Sequence, residues 1–167
     1  MALATDLSLR LAANLTNPLD LSTPADALVK AITLALTSGT GSGQANMLWH
    51  DQRTLAASAT ENLDLSGSLT NAFGATQTFA RIKLVMVTAA SANTNNVNVI
   101  REGTNGVPLF LALGDGIPVR PGGVFLWACT DSTGVAVTNG TGDLLTFTNS
   151  AGSTTVTYDV VIIGASA

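Results

Sequence analysis

Apolar and polar residues alternate along this chain in short runs. In residues 6–16, DLSLRLAANLT, Leu7, Leu9 and Leu11 fall on one face of an extended segment and Ser8 and Arg10 on the other, because strand side chains change sides at every residue. That predicts a strand with one wet face. Residues 79–90, FARIKLVMVTAA, predict another, with Ile82, Leu84 and Met86 opposite Arg81, Lys83, Val85 and Val87. Shorter runs follow around Leu63 and Leu65, at Val97 and Val99, from Val107 to Leu113, from Ile117 to Arg120, from Val135 to Thr138 and from Leu144 to Thr148. The last run, Thr154 to Gly164, sets Val156, Tyr158, Val160 and Ile162 on one face.

Residues 120–131, RPGGVFLWACTD, carry the clearest turn signal. Pro121 fixes the backbone angle at the second position of a turn, and Gly122 can take the positive φ that a type II turn needs at the third. The strand that follows is apolar on both faces, with Val124, Leu126 and Ala128 opposite Phe125, Trp127 and Cys129. Such a strand belongs between two layers or at a subunit interface.

Residues 25–37 read two ways. Ser22-Thr23-Pro24 resembles a helix start, and Leu28, Ile32 and Leu36 fit a helical stripe. The same residues also alternate, and β-branched Thr33 and Thr37 favour a short cap turn and then a strand over about 29–37. Some ten short strands with turn signals every 8 to 12 residues predict an all-β protein, an antiparallel sandwich or barrel, with the jelly roll as the best-fitting form. The expected division is an N-terminal arm with the first strand at 1–27 and a β-sandwich domain at 28–167.

Composition narrows the partners. Only 11% of residues are charged, against roughly 25% in an average domain, and Thr, Ser, Asn and Gly fill the polar positions. Such a neutral surface suits a protein covered by copies of itself or by partners. A net charge of -4 with scattered basic residues argues against nucleic acid, which demands clustered Lys and Arg. Mean hydropathy is +0.38, yet no apolar run approaches the roughly 20 residues of a spanning helix, so no membrane partner is expected. The N-terminal MALATDLSLRL has no apolar core of signal-peptide length.

Candidate chemistry is sparse, and neither enzyme activity nor a cofactor is expected. His50 is the only histidine, and on a strand Asp51 beside it points to the opposite face, which breaks a base and orienter pair. One Cys and one His fall short of a zinc site. Asp115, Asp131 and Asp143 lie in predicted loops without the spaced acidic ladder of a calcium loop. The glycine loop TSGTGSGQ at 37–44 has no following Lys to hold a phosphate, and its Thr-x-Gly-Thr-Gly pattern recurs at 138–142, hinting at equivalent corner turns. Cys129 reads as a packed thiol. Trp49, Trp127 and Tyr158 raise a carbohydrate platform, although the last two sit in strongly apolar strands. Trp49 and Arg53 are also candidates for a contact between subunits, where Trp and Arg are favoured, together with Leu7, Leu9 and Leu11 of the arm.

Three stretches, LTSGTGSGQANMLWHDQRTLAAS from Leu36, LDLSGSLTNAFGATQTFARIKLVMVTAASANTNNVNV from Leu63 and the segment from Val119 to Ala167, resemble small structural proteins of tailed bacteriophages and prophages. They span about two thirds of the chain. The resemblance implies a virion component of the capsid cement or decoration type, made in the cytoplasm of a bacterial host and placed on the capsid surface. Its implied partners are the major capsid protein and further copies of itself, as a homodimer or homotrimer. It transfers no catalytic residue. The alternatives are a tail, fibre or spike module contacting the host, and a carbohydrate-binding β-sandwich.

Overall fold

The computed structural model describes residues 2–167. Every regular element in it is a strand, so the helix start at 22–27 does not form. β1 (Thr5–Thr16) and β2 (Ala25–Ser38) make a long antiparallel hairpin, in register from Thr5 opposite Leu36 to Thr16 opposite Ala25. The strand reading of residues 29–37 holds and extends back to Ala25. Leu28 and Ile32 have no helix to stripe and lie on the leucine face of a ribbon.

β3 (Gln44–Ala45) pairs in parallel with the end of β2 and leads into β4 (Met47–Leu55). There follow β5 (Thr60–Asp64), a small hairpin of β6 (Ser66–Thr70) and β7 (Thr76–Thr78), β8 (Arg81–Ala89), β9 (Val97–Arg101), β10 (Gly116–Val119), β11 (Val124–Ala128), β12 (Val135–Ala136), β13 (Leu144–Asn149) and β14 (Val156–Ala165). Two antiparallel four-stranded layers form an antiparallel β-sandwich, one in the order β11-β8-β14-β4 with β12 added beside β8, the other β10-β9-β13-β5. Apart from the neighbours β9 and β10, successive sandwich strands cross between the layers, so most of its sheet contacts are made by segments far apart in sequence.

The turn before β11 forms as its residues dictate. Gly122 has φ +72° and the Gly123 amide donates to the Arg120 carbonyl at 2.7 Å. β11 itself lies at an edge of its sheet, with β8 and β14 in the centre. Val124 at its start is exposed, and the rest of its two apolar faces is half-buried.

Ladder register explains the core. One inner row runs Trp127, Val85, Ile162, Trp49 across β11, β8, β14 and β4, so the two tryptophans close opposite edges of the same row. Phe147 of the other sheet stacks on Tyr158 with ring centroids 4.7 Å apart. Ile82, expected on the face of Leu84 and Met86, instead joins Val85 and Val87 inside. The cause is a bulge: Ile163 and Gly164 are consecutive in β14 but face Leu84 and Ile82, so Lys83 is the extra residue. Expected on a mixed face, Lys83 is fully buried, and its Nζ donates to the Asp131 carbonyl.

Two further expectations fail locally. Val107 to Leu113 is irregular: Pro108 has no amide hydrogen to donate, and the Arg101 guanidinium holds the Phe110 and Leu111 carbonyls at 2.9 and 2.8 Å. The two Thr-x-Gly-Thr-Gly segments also differ. Residues 138–142 close on themselves through a Thr138–Gly142 bridge, whereas 37–41 open a parallel crossover into β3.

Candidate functional site

The two outer faces of the sandwich are chemically unlike. On the β10-β9-β13-β5 sheet, hydroxyls and amides pair across strands: Thr60 with Thr148 at 3.1 Å, and Thr146 donating to Asn62 at 2.8 Å. That face satisfies itself in water. On the opposite sheet the two outer rows nearest the hairpin base are apolar across β11, β8 and β14, whose residues there are apolar on both sides. One row runs Ala128, Leu84, Ile163, Leu48, the next Leu126, Met86, Val161, His50, and a third Val124, Thr88, Asp159, Gln52.

The base of the N-terminal hairpin covers the first of these rows. Leu36 and Ala45 pack there with Leu84 and Ile163 in a second buried cluster, and Leu3, Leu7 and Leu34 lie against it. Beyond its base the hairpin parts from the body. Cross-strand register places Leu7, Leu9, Leu11, Ala13 and Leu15 on the same face as Leu34, Ile32, Lys30 and Leu28, since directly opposed residues of an antiparallel pair share a side. The reverse face carries Ser8, Arg10, Asn14 and Thr33. Leu9, Leu11, Ile32 and Leu28 are 50 to 57% exposed. Among the described residues, eight of the thirteen large exposed hydrophobics fall within residues 9–32, so the hairpin concentrates their uncovered apolar surface.

The candidate contact residues thus separate. Leu7 is half-buried at the hairpin base, Leu9 and Leu11 are open, Trp49 is buried, and Arg53 is partly exposed at the sandwich edge. Trp49, only 5% exposed in the main core, offers no ring face to a sugar or a partner, and Tyr158 is buried as well. Arg53 projects from the inner face of β4 across the sandwich edge. Its Nε donates to Glu61 of β5 at 3.1 Å, its Nη2 donates to the same carboxylate, and its Nη1 meets Asp51 at 3.0 Å. The Tyr158 hydroxyl donates to Glu61 at 2.8 Å, completing a clasp between the two sheets. Burial opposes charge on Glu61, but the hydrogen bonds from Arg53 and Tyr158 outweigh it and hold the carboxyl below its ordinary range. Burial and the bond to Glu61 push the Tyr158 phenol well up. The sequence showed Arg53 and Glu61 as unrelated charges, because nothing local says that β4 and β5 face each other in different sheets.

The remaining candidates resolve as turn chemistry. Asp131 accepts the amides of Thr133 and Gly134, Asp115 that of Ala112 and Asp143 that of Gly140, each at 2.7 Å. No three metal-binding side chains converge among the described residues. Burial, then Asp131 nearby, pushes the Cys129 thiol up to about 11. A cavity of about 460 Å³ opens beside the start of β4, lined by Met47, His50, Asn71, Gln77 and Phe73, the last 80% exposed. Of the candidates singled out from the sequence, Trp49 and His50 border it.

Among the described residues no helix is long and apolar enough to cross a membrane. No family model matches the chain, and neither a curated protein nor a solved structure matches it.

Proposed function

We propose that the chain is a structural virion protein that binds the outside of a bacteriophage capsid and stabilises it. The observation behind this reading is the leucine-faced hairpin standing free of a closed, polar-looped sandwich. Such a ribbon is suited to bury its apolar face against other chains. Two further features support it. Numbered along the chain from β4 to β14 without the short β6, β7 and β12, the sandwich strands fall in the orders 6-3-8-1 and 5-4-7-2. We read this as a jelly roll, a form used in viral capsid proteins and also in lectins, and the hairpin as its arm. The text resemblance to phage structural proteins points the same way. The partners in this reading are the major capsid protein and further copies of the chain.

The test is reconstitution. Purified chain is added to capsids of a tailed phage assembled without decoration, and bound density and particle disruption temperature are measured. Saturable binding at symmetry-equivalent sites, with a higher disruption temperature, is expected. Absence of binding with all capsids tried, alongside recovery of the chain on phage tails, overturns the reading.

One observation favours a second reading, a spike or sugar-binding module: Phe73 stands exposed beside a largely apolar cavity that also carries His50, Asn71 and Gln77. Stacking of a sugar ring on an aromatic face needs such a residue. Glycan binding lost in Phe73→Ala would establish that reading.

A further inference from the structure

Two apolar surfaces among the described residues are left open, one freely and one in part. The first is the free part of the hairpin face, Leu9, Ile32, Leu11 and Leu28, with one cation, Lys30, opposite Leu11. The second is the outer row Leu126, Met86, Val161 on the β11-β8-β14-β4 sheet, where each of the three is only partly buried. This row adjoins the one that Leu7 and Leu34 of the same hairpin already cover, so the sheet shows what kind of surface it accepts.

The two surfaces also match in spacing and charge. From Leu9 to Leu11 on the ribbon, and from Val161 to Asp159 on the sheet, the step is two residues, about 7 Å in each. Asp159 is exposed in the row next to Leu126, Met86 and Val161, and among the described residues its carboxylate accepts one hydrogen bond, from Gln52 Nε2 at 2.8 Å. With Leu9 and Ile32 seated on Met86 and Val161, Lys30 falls opposite Asp159.

We infer that the hairpin of one copy lies across the outer sheet face of a second copy, Leu9 and Ile32 on Met86 and Val161 with Lys30 paired to Asp159, in a closed ring where each chain gives and receives one hairpin. Area supports closure. The free part of the ribbon, the eight pairs from Leu9 opposite Ile32 to Thr16 opposite Ala25, is roughly 27 Å long and 10 Å wide, about 270 Å² of face. One such contact is too small for a stable pair, whereas giving and receiving one buries about 540 Å² on each copy, roughly 1,080 Å² across a two-fold pair, which clears the roughly 1,000 Å² of a specific interface. The inference rests on the self-association within the proposed reading and not on its capsid partner, so it is tested without capsids.

The experiment is native mass spectrometry with sedimentation velocity on the full chain at tens of micromolar. A dimer or trimer is expected. Leu9→Asp with Ile32→Asp should give a monomer with unchanged circular dichroism, because neither side chain reaches the buried clusters. Lys30→Asp should weaken association about five- to tenfold, and Lys30→Asp with Asp159→Lys should restore it. A monomeric wild-type chain, an oligomer indifferent to the double aspartate variant, or a monomer that instead sediments with neutral lipid vesicles would each overturn the inference. Loss of capsid binding in an oligomer that remains intact would count against the capsid reading alone.

Discussion

Glu61 shows how a single residue acquires a role from its surroundings. It sits between the Arg53 guanidinium and the Tyr158 hydroxyl at the edge where the two sheets meet. Its folded-state carboxyl titrates below the unfolded value, so its stabilising contribution is complete above about pH 4.3 and is lost as pH falls through the lower folded value. Tyr158 behaves in the opposite sense. Its phenol is raised, so the unfolded chain ionises first and stability declines as pH rises above about 10. Urea titrations across pH should therefore show Glu61→Gln losing about 1–3 kcal/mol at neutral pH, with a flatter acid limb than the wild type. Tyr158→Phe should flatten the alkaline limb and, by removing one of the hydrogen bonds that hold the Glu61 carboxyl low, weaken part of the acid limb as well; an unaltered limb in either variant counts against the clasp. Cys129, with its thiol pushed up to about 11, should react with iodoacetamide at neutral pH roughly a hundredfold more slowly in the folded chain than in urea, since only the thiolate attacks.

Elements in this protein are set by turns and by one bulge. Gly164 lies beside the bulge, and a Cβ there would strike the Arg81 carbonyl oxygen and stand 2.8 Å from the Phe79 ring. Gly164→Ala should cost about 2–4 kcal/mol in chemical denaturation, because both neighbours are fixed in the core. Gly122→Ala should cost less, about 1–2 kcal/mol, the penalty for a side chain in the left-handed region. Equal effects at the two sites would mean that crowding at the bulge is relieved by backbone movement. The strands themselves were legible as patterns: β1, β8, β9, β10, β13 and β14 all lie where period-two alternation placed them. The alternation failed at Lys83, since an inserted residue reverses which face follows it. It also failed at Val107 to Leu113, where apolar residues serve a loop pinned by Arg101.

Across the whole molecule the division is between a closed body and a hairpin that shares little core with it. Leu21 at the hairpin tip is fully exposed, and Leu19 is 56% exposed. Thermolysin, which cuts before large apolar residues in segments that open locally, should nick the chain first within residues 18–22. Assembly should slow that cut, and dilution should restore it. First cleavage in the sandwich loops would show the hairpin to be the better protected part.

The sequence by itself determined the all-β class, the positions of most strands and the type II turn at Pro121-Gly122. Each of these follows from side-chain period or from the angles a single residue permits. The leucine face of β1 was also readable, because Leu7, Leu9 and Leu11 share a parity. Only the tertiary structure decided which faces are covered. Trp49 turns into the core and Arg53 reaches Glu61 at the sandwich edge that β4 closes, while Leu9 and Ile32 stay bare because the part of the ribbon that carries them pairs only with itself. Burial depends on which distant strands meet, and a period along the chain holds no record of that.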